Sequence, residues 1–133
     1  MEDILIDEEN PIWESRDITE FIQQLDPENQ EVFSGPYKDY VESVLNQLEK
    51  AGVEKTHFLE ALISLPNPRA RKVILMRLGF LSGKQMTQAE VAEELGLMEA
   101  RVRQIEGKFI RYLRPHLKKE KLPESWQGAF GEE

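Results

Sequence analysis

The 133-residue chain has no cysteine and only two histidines, and these shortages remove most metal and nucleophile chemistry at once. Without thiols there is no disulfide and no thiolate zinc site. His57 and His116 are far apart in sequence with no partner at ligand spacing, so neither a metal site nor a cofactor is expected. A glycine-rich phosphate loop and a serine elbow are both lacking. The acidic pairs Glu93-Glu94 and Glu132-Glu133 are adjacent, which suits solvated or helix-dipole positions better than a catalytic cleft. An enzyme with a small-molecule substrate is not expected. Long apolar runs are scarce too: the most apolar stretch, Phe58 to Leu65, is too short to cross a bilayer. The Met-Glu-Asp start lacks the basic beginning and apolar core of a secretory signal. A cytoplasmic protein with no membrane partner is the expectation.

What is present is charge, and its distribution is uneven. The net charge of -8 looks wrong for a partner of nucleic acid, whose phosphates attract positive surfaces. The average conceals a division, because Arg69 to Lys121 holds 13 Lys or Arg against 6 Asp or Glu, whereas residues 1–68 hold 4 against 16. Such asymmetry points to two jobs, one half meeting a polyanion and the other meeting something else.

Hydrophobic spacing reads as helical throughout, with no alternation long enough for a strand and no internal repeat. After an acidic lead segment containing Trp13, Ser15 can cap a helix carrying Ile18, Phe21, Ile22 and Leu25, and Pro27 interrupts it. A short turn holds Val32 and Phe33. Ser34-Gly35-Pro36 signals the start of a longer helix, with Tyr37, Tyr40, Val41, Val44, Leu45 and Leu48 on one stripe and Gly52 at its end. Thr56 is a candidate cap for the helix of Phe58, Leu59, Leu62 and Ile63, which Pro66 closes. Asn67-Pro68 opens the next, expected to be amphipathic, with Val73, Ile74, Met76 and Leu78 among Arg69, Arg71, Lys72 and Arg77, and Gly79 stops it. Residues 80–86 are expected to form a loop.

Beyond that loop lies the most informative stretch. Thr87-Gln88-Ala89-Glu90 is a capping box, so a helix starts at Gln88 with Val91, Ala92 and Leu95 inward. Gly96 supplies the positive φ of a tight turn, and Leu97 plugs it. The following helix buries Val102, Ile105, Phe109 and Leu113 at spacings of three and four. That leaves Arg101, Arg103, Gln104, Lys108, Arg111 and Arg114 on its outer faces. Two helices joined by a short glycine turn, the second basic, make a helix-turn-helix able to place that second helix in the major groove. Arginine and glutamine can pair their hydrogen bonds with guanine and adenine edges, while arginine and lysine neutralise phosphates. The same pattern also fits a solvated basic face or a protein-binding helix-turn-helix.

Four runs together resemble region 4 of sigma-70 family sigma factors: Phe58 to Pro66, Arg69 to Phe80, Thr87 to Leu95, and Arg101-Val-Arg-Gln-Ile-Glu-Gly-Lys108. The resemblance extends from about Thr56 to Lys119, and its most specific part is Val102 to Glu106 at this distance behind the capping box. It implies an all-α fold whose C-terminal domain, residues 56–121, is a helix-turn-helix that binds the upstream (minus 35) promoter element and grips the beta flap of RNA polymerase. Residues 1–55 would be an acidic helical segment and possible interaction region, and residues 122–133, with Trp126 and Phe130, a tail. No stretch in the first 55 residues resembles the aromatic and basic region with which sigma factors open promoters, so the chain alone is not expected to start transcription.

Departures from the family pattern are concentrated at the start of the recognition helix. Where the family usually has Ser or Thr followed by Arg-Glu-Arg, this chain has Met98, Glu99, Ala100 and Arg101. Two usual base readers are therefore replaced, and Met98 has no side-chain oxygen with which to cap. The expected DNA-binding residues are Thr87, Gln88, Arg101, Arg103, Gln104, Lys108 and Arg111, with the first two at the positive end of a helix where a phosphate can sit. Two readings follow. In one, the chain is a transcription regulator with promoter DNA and RNA polymerase as partners. In the other it is a protein-interaction module that occupies polymerase or another transcription regulator with little DNA contact. The rings of Trp13, Phe21, Tyr37 and Tyr40 are either part of such a surface or plain core.

Overall fold

The computed structural model describes residues 16–117, which form seven α-helices and two short 3-10 turns with no strand among them. The acidic lead segment with Trp13, the Ser15 cap, and the tail with Trp126 and Phe130 lie outside the described residues. In order, α1 (Arg16–Gln23), α2 (Pro27–Gln30), a 3-10 turn (Glu31–Phe33) and α3 (Lys38–Lys50) make the first half. Then come α4 (Lys55–Ile63), α5 (Pro68–Leu78), α6 (Gln88–Leu95), α7 (Glu99–Leu113) and a last 3-10 turn (Arg114–His116).

One hydrophobic core runs from Ile18 to Leu117, and it is built around three rings. Phe58 of α4 meets the Phe109 ring edge-on at 5.5 Å and the Phe80 ring at 5.9 Å, while Tyr40 closes on Phe80 at 6.3 Å. All three phenylalanines are essentially sealed from solvent, and each contributes about 1.5–3 kcal/mol by burial. Helix α4 sits at the centre, packing against α1 and α3 on one side and against α5 and α7 on the other. Most aromatic side chains of the first half are thereby consumed as core. The Tyr40 hydroxyl donates to Leu78 O at 2.8 Å, Phe21 leans on the core, and Tyr37, though 40% exposed, lies over Gly83 in the loop before α6.

Local signals set most helix boundaries, with instructive exceptions. Asn67 caps α5 by accepting from Ala70 N at 2.8 Å, and Gly79 ends it with a left-handed φ of 84°. Pro36, in contrast, belongs to a turn, because α3 begins only at Lys38. The cap of α4 is Glu54 rather than Thr56: its side chain accepts a backbone bond from the first turn while the Glu54 amide donates to His57 Nδ1 at 3.2 Å, a histidine version of the capping box. Helix α5 is not amphipathic as expected, since every residue from Val73 to Phe80 is buried, Arg77 included.

A cation in α5 ties the two charge classes together. Arg71 donates through Nε to Leu62 O and through Nη2 to Leu65 O, both at 3.1 Å, which satisfies carbonyls at the end of α4. Its remaining nitrogen, Nη1, bonds Asp26 Oδ1 at 2.9 Å. Buried Lys55 makes a comparable link, donating to Asn46 Oδ1 at 2.8 Å and lying 3.1 Å from Glu49 Oε1.

Candidate nucleic-acid interface

Helices α6 and α7 form the expected helix-turn-helix, and backbone chemistry fixes its angle. Thr87 accepts from Glu90 N at 3.0 Å while Glu90 Oε1 accepts from Thr87 N at 2.9 Å, so the capping box is complete. Gly96 then takes a φ of 68°, and Leu97 N returns to Ala92 O at 2.8 Å, closing the turn. Val91, Ala92, Val102, Ile105 and Phe109 are buried, and α5, α6 and α7 all pack on one another. Met98 is the N-cap of α7 without a side-chain cap bond, and its thioether is 76% exposed.

Burial leaves one side of α7 open. Arg101, Arg103, Gln104, Lys108, Arg111 and Arg114 are all exposed. Arg101, Gln104, Lys108 and Arg111 follow at intervals of three, four and three, so they form a single stripe. Arg101 Nη1 approaches Gln104 Oε1 at 3.4 Å within it. Arg103 lies on the flank beside Glu99, with Nη1 to Oε1 at 3.8 Å and both side chains more than half exposed. A pair so open and so long is worth less than about 1 kcal/mol, leaving both groups available to another partner. The face therefore presents four cations, one amide and one carboxylate to solvent.

Beneath this face lies a network that sequence periodicity did not single out. Glu106 is on the buried side of α7, where one carboxylate oxygen pairs with Arg77 Nε of α5 and the other accepts from Gln88 Nε2 at 2.8 Å. Arg77 also donates through Nη1 to Met86 O at 2.6 Å. Two charges are thus buried together with hydrogen bonds on their free sides, the only arrangement in which burying them is tolerable. The network fastens α5, the loop, the start of α6 and the middle of α7 in one register. A signal for it did exist: Glu106 shares the helical stripe of Val102, Phe109 and Ile110, and Arg77 that of Val73 and Ile74, so opposite charges occupy two inward stripes.

Of the seven residues read from sequence, Arg101, Arg103, Gln104, Lys108 and Arg111 are brought to one exposed helix side. Thr87 is exposed at the start of α6 with its oxygen and amide engaged in the cap. Gln88 is half-buried, and its amide group is turned inward to Glu106. His57 and His116 stack face to face at 3.7 Å and 14°, a contact between α4 and the last 3-10 turn.

Comparison with known proteins agrees with this geometry. The Sigma-70, region 4 family model matches residues 61–114, which span α5, α6 and α7. The chain is 38% identical over 68 residues to the RNA polymerase sigma factor SigA of Clostridium acetobutylicum, covering 51% of this chain and 18% of that protein. It is 30% identical over 109 residues to the chloroplastic RNA polymerase sigma factor sigF of Arabidopsis thaliana, covering 82% of this chain and 17% of that protein. A match of that length must reach well into the acidic first half. The chain spans less than a fifth of either relative's own length. No solved structure matches. The capped helix, the left-handed glycine turn, the basic second helix and the family match converge: residues 61–114 are a sigma-70 region 4 domain, a DNA-binding helix-turn-helix of transcription rather than a member of an enzyme family.

Proposed function

We propose that the chain is a transcription regulator that holds promoter DNA through α7 and works beside RNA polymerase, contacting the beta flap or another regulator. The observation that carries this reading is the exposed basic side of α7, where Arg101, Arg103, Gln104, Lys108 and Arg111 all stay open among the described residues. These side chains suit the two tasks of groove binding, since guanidinium and ammonium groups neutralise phosphates and the forked donors read base edges. Thr87 and Gln88, at the positive end of α6, would sit against a flanking phosphate, with Gln88 leaving Glu106 or contributing its backbone amide. The polymerase partner is carried over from the two sigma factors to which the chain is similar. Such a protein would work in the cytoplasm of a bacterial cell, where DNA and polymerase meet.

A salt titration of duplex binding tests the mechanism. With about five phosphates engaged, log affinity should fall against log salt with a slope of about -4.5, and Lys108→Ala should make it shallower by about 0.9. A flat response contradicts it. A second reading, a protein-interaction module with little DNA contact, is favoured by Glu99, Ala100 and the inward-turned Gln88. It requires recovery of polymerase in a nuclease-treated pull-down that Arg103→Ala leaves unchanged, together with no salt-dependent duplex binding.

A further inference from the structure

Glu99 is an oddity on a surface meant for a polyanion, because a carboxylate placed among phosphates is repelled. As the first residue of α7 it suits the positive end of the helix, but that accounts only for its tolerance there. Its neighbour gives it a sharper meaning. Arg103 lies one turn on, on the same flank, with its guanidinium 3.8 Å from the carboxylate and both groups open to solvent. The flank thus offers an acceptor and a forked donor side by side at the end of the helix that reaches base edges in helix-turn-helix docking.

We infer that Glu99 and Arg103 together read one cytosine–guanine base pair in the major groove, the carboxylate accepting from cytosine N4 and the guanidinium donating to guanine O6 and N7. The inference rests on the DNA-binding reading above and adds a specificity to it. In such a pair the cytosine amino group and guanine O6 are themselves hydrogen-bonded, about 2.9 Å apart. The donor and acceptor that point into the groove are therefore neighbours, as the two side chains are. Carboxylates have no proton to give at neutral pH, so Glu99 rejects guanine and thymine, which show only acceptors at that edge. Adenine offers an amino group, but its pairing leaves Arg103 facing a single thymine oxygen beside a methyl group instead of the two guanine acceptors. Cytosine–guanine is ranked first, adenine–thymine second, and the reversed pairs last. Arg103 also offsets the charge of Glu99, which lets a carboxylate approach the groove floor.

Selection from a pool of randomised duplexes by the intact protein, followed by titration of the winning duplex and its single-pair variants at fixed salt, tests this directly. Winners should share one fixed cytosine–guanine pair, and reversing that pair should weaken binding about tenfold. With Glu99→Ala the same reversal should change affinity less than about twofold, and Glu99→Gln, whose amide can pair with adenine, should move the preference toward adenine–thymine. Both substitutions are at an exposed position, and unchanged thermal unfolding confirms that the fold is retained. Salt-dependent binding in which no base-pair preference depends on Glu99 overturns the inference and leaves the DNA-binding reading intact. Absence of salt-dependent binding to every duplex overturns both.

Discussion

Arg77 and Glu106, 29 positions apart, form an ion pair closed off from solvent, their side chains 8% and 6% exposed. The pair joins the helix that runs through the core to the helix that faces outward. Its hydrogen bonds to Met86 O and Gln88 then fix where α6 begins relative to α7. The orientation of the recognition face is therefore set by charges hidden behind it.

Removing one partner should be far more damaging than removing both. Glu106→Ala removes the carboxylate that faces a buried guanidinium and should cost about 3–5 kcal/mol, whereas Arg77→Met with Glu106→Leu replaces the pair by apolar volume and should cost much less. Urea unfolding of the two variants decides the matter through their midpoints. Equal losses would mean that the pair is wetter than the structure has it.

Gly79 and Gly96, the left-handed glycines that end α5 and α6, should respond differently to the same substitution. A methyl group at Gly96 meets nothing within 4 Å, so Gly96→Ala should cost only the conformational penalty, about 1–2 kcal/mol. At Gly79 the added carbon would stand 2.7 Å from Lys84 C and 2.8 Å from Gln85 N, so backbone must move as well and the loss should be roughly 2–5 kcal/mol. Thermal unfolding of both proteins provides the comparison, and a Gly96 variant as damaged as the Gly79 variant would contradict it.

These elements also show how far the sequence could be read. The capping box at Thr87, the Asn67-Pro68 start, the Gly96 turn and the outward side of α7 depend on residues within four positions of each other, and local rules suffice for them. Three of the least legible features depend on partners far along the chain. The burial of Arg77 is stabilised by a carboxylate 29 residues away, and Arg71 reaches 45 residues back to Asp26. The stacking of His57 on His116 likewise joins distant positions; periodicity can put a charge on an inward stripe, as for Arg77 and Glu106, but it does not name the partner. The misassigned start of α4 has a local reason: Glu54 and His57 cap it with residue types less usual in that role than the available Thr56.

Tyr40 links stability to alkaline pH. Burial raises its phenol above the ordinary value of 10.0, and the hydroxyl needs its proton to donate to Leu78 O. The folded state therefore holds the proton more tightly than the unfolded state. This stabilisation is complete below the unfolded pKa and is lost as pH climbs through the folded value. Tyr40→Phe should lower stability by about 0.5–1.5 kcal/mol at neutral pH and reduce the decline above pH 10.0. Tyr112, raised in the same direction by burial and by Glu60, accounts for part of the decline that remains. Urea midpoints measured across alkaline buffers give both numbers.

Within residues 16–117, packing of α4 between the acidic helices and α7, reinforced by the grip of Arg71 on Asp26, makes a rigid electric dipole. Its negative pole and its cationic pole cannot turn independently. Near a duplex at 0.1 M salt, where fields fade over about 10 Å, only the nearer pole is felt, so a protein of net charge -8 can still be drawn in by its positive end. In the encounter proposed for it, the chain would be turned to the productive attitude before touching, and approaches from the opposite side would be pushed away.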